Sequence, residues 1–122
     1  MNDYEIIIEQ GSTLEIITTI RDSAGELIDI SGWNFRGQLR QNYSSNDIAA
    51  SFSFEILDQS IDLGKLKIFI PAAETELIPV NPAKGLCPTP TSYAYDIEAE
   101  TETNFVYRLL SGVVKVIPEV TR

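Results

Sequence analysis

The sequence predicts an all-β sandwich, and three observations carry that prediction. Apolar and polar residues alternate at period two along most of the chain, whereas helical periodicity does not recur. Turn signals built on Gly, Pro, Asn, Asp and Ser break the alternation at short intervals. Hydrophobic residues make up 43% of the 122 residues, enough for one real core. A chain of this length reads as a single domain, 1–122, able to fold without staples.

The first candidate strand is Tyr4 to Glu9. Gly11-Ser12 then marks a turn or a crossing from one sheet to the other. Thr13 to Arg21 follows, with Leu14, Ile16, Thr18 and Ile20 on one face and Glu15, Ile17 and Thr19 on the other. Asp22-Ser23-Ala24-Gly25 is a turn signal, and Glu26 to Ile30 is expected as a short strand. Trp33 to Gln41 places Trp33, Phe35, Gly37 and Leu39 on its apolar face, where Gly37 is expected to make room for a neighbouring aromatic ring. After the polar loop Asn42 to Asp47, Ala49 to Ile56 points Phe52, Phe54 and Ile56 inward.

Asp58 to Gly64 reads as a turn, and Lys65 to Ile70 as a strand ended by Pro71. Ala72 to Leu77 is the one expected helix. Ile78 to Pro90, with four prolines and Gly85, is a long semi-rigid loop. Ser92 to Glu100 alternates again. Phe105 to Leu110 and Gly112 to Ile117 complete the strands, with a bulge expected at Ser111-Gly112. The sum is an Ig-like antiparallel β-sandwich of about eight strands with one long Pro-rich loop.

Charge and missing residue types narrow the function. Nine Lys and Arg stand against eighteen Asp and Glu, a net charge of −9. Such a surface repels phosphate, so neither nucleic acid nor an anionic membrane is expected as a partner. There is no His, which removes the commonest general base and metal ligand, and every Ser-His or Cys-His nucleophile arrangement. Cys87 is the single cysteine, so no intrachain disulfide forms. No glycine-rich phosphate loop is present. The expectation is a non-enzymatic chain with no cofactor and no metal. No signal peptide and no membrane helix are expected.

The candidate sites are therefore surfaces for binding proteins. The first strand is apolar on both faces, Ile6, Ile7 and Ile8, which fits a strand covered on both sides, as by another subunit, with Ile6 and Ile8 the candidate contacts. Ile78, Val80 and Leu86 are candidate exposed anchors on the Pro-rich loop. Glu98, Glu100 and Glu102 could align as a dock for a Lys/Arg-rich partner, their ordinary reading being a solvated face. Asp22, Glu26 and Asp29 surround a turn but lack calcium-loop spacing. Two rival classes stay open. A carbohydrate-binding module would use Tyr43, Tyr93, Tyr107 and Phe69 as a platform. A carboxylate hydrolase would need two acids about 5–10 Å apart across a cleft.

The segments Tyr4-Glu5-Ile6-Ile7-Ile8-Glu9-Gln10-Gly11-Ser12-Thr13, Asp22-Ser23-Ala24-Gly25 with Ile28-Asp29-Ile30-Ser31-Gly32-Trp33, Tyr43-Ser44-Ser45, Tyr95-Asp96-Ile97-Glu98, and Arg108-Leu109-Leu110-Ser111-Gly112 with Val116 through Pro118-Glu119-Val120-Thr121-Arg122 span nearly the whole chain. In their order and spacing they resemble a family of small tailed-phage virion proteins. The chain resembles more distantly the Ig-like N-terminal domain of phage baseplate upper proteins. It departs from the pattern at Val80 to Pro90, where a short turn is expected. The resemblance implies a structural protein of the virion, made in the bacterial host cytoplasm. It implies a place in the tail, baseplate or fibre attachment and contact with other virion proteins in multiple symmetric copies. A head decoration protein contacting the major capsid protein is the alternative. The family carries no catalytic residues to transfer.

Overall fold

A computed structural model describes residues 4–42, 44, 47–80 and 90–118. Among the described residues eight strands form: β1 (Ile6–Glu9), β2 (Leu14–Thr19), β3 (Asn34–Arg40), β4 (Ile48–Ser51), β5 (Ser53–Ile56), β6 (Lys65–Ile70), β7 (Thr91–Glu100) and β8 (Val106–Ile117). They build a β-sandwich of two sheets, one ordered β1-β8-β7-β3-β4 and the other β2-β6-β5. Period-two burial along β6 and β7 puts Leu66, Ile68 and Ile70 opposite Tyr93, Tyr95, Ile97 and Ala99, all buried. These residues share one core with Ile6, Ile8, Leu39, Val114 and Val116.

The crossing between sheets lies at Phe52. The expected strand Ala49 to Ile56 is two strands, β4 in the larger sheet and β5 in the smaller. Phe52, between them, donates its backbone N–H to the Gly37 carbonyl at 2.9 Å and drives its ring into the core, 6% exposed. A Cβ on Gly37 would lie 3.1 Å from the Phe52 ring and 2.8 Å from Ile97 Cγ1, so the glycine does make room for an aromatic ring.

Four further expectations are corrected. Glu26 to Ile30 is not a strand. A single bridge, Arg21 to Leu27, holds it, because Asp22 Oδ1 accepts from both Ala24 and Glu26 N–H and curls the chain into a tight turn. Phe105 to Leu110 and Gly112 to Ile117 are one strand, β8, and its register shift against β7 falls between Ile97 and Glu98, opposite Leu109. The helix α1 is shorter than expected, Ala72–Thr75. The sandwich is also not wholly antiparallel, since β1 pairs with β8 in parallel, Ile6 with Val114 through Glu9 with Ile117.

Short polar groups close the ends of the sandwich. Buried Thr75 donates its hydroxyl to the Ser12 carbonyl at 2.8 Å and accepts from Gly11 N–H at 3.1 Å, tying α1 to the β1–β2 turn. At the other end Gln59 Oε1 accepts from the backbone N–H of Ile30 and Gly64, at 3.2 and 2.8 Å. Both side chains satisfy backbone groups that the strands leave unpaired.

Candidate docking face on the five-stranded sheet

Alternation that buries one face of the larger sheet must present the other. Along β7 the outward residues are Ser92, Ala94, Asp96, Glu98 and Glu100; along β3 they are Asn34, Arg36, Gln38 and Arg40. Antiparallel register sets Arg36 opposite Glu98, and Arg36 pairs with Glu98 at 3.0 Å and with Glu100 at 3.2 Å. These hydrogen bonds, Glu100 first and then the Glu98 charge, push the Arg36 guanidinium further above its ordinary value. Arg108 pairs with Asp96 at 3.6 Å, and Lys115 with Glu5 at 3.1 Å.

Beside these ion pairs the face also exposes apolar side chains. Val113 stands opposite Ala94 on the β7–β8 ladder and is 44% exposed. Ile7, opposite Lys115, is 57% exposed, and Tyr4 is 49% exposed. Ala94 is small, so the surface dips over it into an open trough of about 620 Å³, lined by Tyr4, Glu5, Gln41, Ser92, Ala94 and Val113. A solvated sheet face ordinarily carries polar residues at such positions.

The sequence-derived candidates fall differently. Ile6 and Ile8 are 2% and 1% exposed, packed inward against the core. The period of two that makes them core leaves Ile7 as the outward member of β1. Ile78 is not an exposed anchor either: it is 1% exposed, because the chain after α1 folds over the end of the core and Gln10 Nε2 bonds the Ile78 carbonyl at 3.1 Å. Val80 is half-buried against the core. Leu86 lies outside the described residues.

Glu98 and Glu100 do share a face, but both clasp Arg36 instead of standing free. Glu102 sits in the following turn, with its side chain against Gly32. Val113 and Ile7 carry the face; Ile7 belongs to the run that makes the first strand apolar on both faces, whereas Val113 is not among the candidates the sequence offers. Their signal is the pair of runs Ile6-Ile7-Ile8 and Val113-Val114, which have no polar residue at the outward position.

The four-ring platform does not assemble among the described residues. Tyr93 is buried, its hydroxyl donating to the Pro79 carbonyl, and burial raises its pKa. Phe69 lies on the three-stranded sheet with Lys67 Nζ 5.3 Å from its ring centre. Tyr107 packs edge-on to Trp33, with centroids 6.0 Å apart, and burial raises its pKa too. Tyr43 is outside the described residues.

No group of three acidic or cysteine side chains is placed to hold a metal ion among the described residues, and no helix there is long and apolar enough to cross a membrane. No protein-family model matches the sequence, and comparison with curated proteins gives no match.

Proposed function

We propose that this chain is a non-enzymatic structural and assembly protein of a tailed-phage particle, working in the tail, baseplate or fibre attachment by binding neighbouring virion proteins. The observation that carries the protein-binding part is the outer face of the five-stranded sheet. Exposed Val113 and Tyr4 there line a trough over Ala94, exposed Ile7 stands on the neighbouring edge strand, and ion pairs lie on the same face. Apolar side chains left exposed on a sheet face beside charged pairs fit a surface that binds protein. The placement on a phage particle is supported only by the resemblance of the turn and strand-end segments, from Tyr4 to Pro118-Glu119-Val120-Thr121-Arg122, to small tailed-phage virion proteins.

The test is electron cryo-microscopy of particles carrying or lacking the protein, with mass spectrometry of the purified particles. Density lost at the tail end supports the proposal. Density lost on the head replaces it with a decoration role, and particles that contain none of the protein end it.

A further inference from the structure

We infer that the outer face of the five-stranded sheet is where a second copy of this chain docks, face to face. The inference rests on that face being a protein-binding surface and names its partner.

Charge favours a second copy over other partners. Five carboxylates, Glu5, Glu9, Asp96, Glu98 and Glu100, share the face with four cations, Arg36, Arg40, Arg108 and Lys115. Of sixteen carboxylates among the described residues, the other eleven lie elsewhere, against three cations, Arg21, Lys65 and Lys67. The face is thus nearly neutral, and the rest of the described surface holds almost all the excess negative charge. Two copies meeting anywhere else would set acidic surface against acidic surface, which costs free energy. Here they meet without that penalty, and the cations of one copy can face the carboxylates of the other. A basic partner, by contrast, would be drawn to the acidic remainder of the molecule.

Size and shape agree. The outer faces of β1, β8, β7, β3 and β4 cover roughly 600 Å² of flat sheet at about 3.3 Å per residue and 4.8 Å per strand, near the ~800 Å² of accessible surface that each partner gives to a standard interface. The trough over Ala94 can receive a projecting side chain, and Val113 projects at its edge, with Ile7 exposed on the next strand. A face that meets its own copy about a two-fold axis must offer both.

The experiment is sedimentation equilibrium of the full chain over about three decades of concentration. The expected result is a mass rising from 13.6 kDa towards twice that value. Added salt should strengthen the association, by screening repulsion between two chains of net charge −9. Val113→Asp and Ile7→Glu, each checked for folding by circular dichroism, should weaken it at least tenfold. Ile17→Asp, at a 56% exposed position on the three-stranded sheet, should leave it unchanged.

A chain that stays monomeric at every concentration and salt overturns the inference. So does association that survives Val113→Asp and Ile7→Glu but is lost with Ile17→Asp. Either result leaves the particle experiment to decide the proposed function separately.

Discussion

Gly112 shows how much one residue can hold in place. Its φ of 149° belongs to the region glycine favours, and a Cβ there would lie 2.7 Å from the Tyr4 carbonyl oxygen. The same carbonyl accepts from the Tyr95 hydroxyl, and Tyr4 N–H donates to the Ser111 carbonyl at 2.9 Å. Gly112→Ala should therefore lift the segment leading into β1. The expected cost is about 1–3 kcal/mol in urea unfolding, as for other overpacked sites, with faster hydrogen exchange at Ile6 to Ile8. Unchanged exchange there would show that β1 does not depend on this contact.

Tyr93 and Tyr107 give a second residue-scale prediction, for alkaline pH. Burial raises both pKa values, so the folded state holds these protons more tightly than the unfolded chain does. The stability this gives is complete below the ordinary tyrosine value of about 10 and is lost as pH rises from there through the folded values. Tyrosinate absorbance followed beside unfolding free energy should show the two ionising late, with stability falling across the same window. Flat stability there would contradict the assignment.

At the scale of the element, β4 and β5 are the junction between the sheets, and Phe52 is the pin. Its ring lies 5.8 Å from that of Tyr95, across the core. Phe52→Ala should cost about 3–5 kcal/mol by thermal or urea unfolding, since it removes a buried ring and leaves a cavity at the crossing. A cost below about 1 kcal/mol, within the scatter of surface changes, would mean that the crossing holds without it.

This junction also marks the limit of what the sequence discloses. Period two through Ala49 to Ile56 reveals extended chain and the inward side of Phe52, Phe54 and Ile56, but alternation is blind to which sheet a strand joins. The strands β2, β3, β6 and β7 were legible for the same reason, since period two dominates each of them despite exceptions such as Ile17, Phe69 and Ala94. Glu26 to Ile30 alternates like a strand without being one: Ile28 and Ile30 pack against the core with no ladder, Leu27 is exposed, and the Asp22 carboxylate holds the turn. The candidate site was legible only in outline. Ile6, Ile7 and Ile8 drew attention to β1, yet telling the outward residue from the core ones needs the register with β8. Arg36 between Glu98 and Glu100 likewise depends on pairing across more than sixty residues.

For the whole molecule, those distant pairings set the folding rate. Ile6 meets Val114, Leu39 meets Tyr95 and Leu14 meets Ile70, so most of the chain must be gathered before the core forms. Loop closure of that kind is slow, and refolding from urea should take roughly milliseconds to seconds, as in other sandwiches, not microseconds. Stopped-flow fluorescence of Trp33 measures it; a microsecond phase carrying the full amplitude would contradict this topology.

The parallel pair β1–β8 has a mechanical consequence. A pull applied upstream of Ile6 and downstream of Ile117 drives the two strands in opposite directions along their length. The bonds from Ile6–Val114 to Glu9–Ile117 then bear the load together, in shear, and must yield nearly at once. Pulled apart from its ends, this sandwich behaves as a clamp instead of a zip, holding its core closed until that ladder breaks.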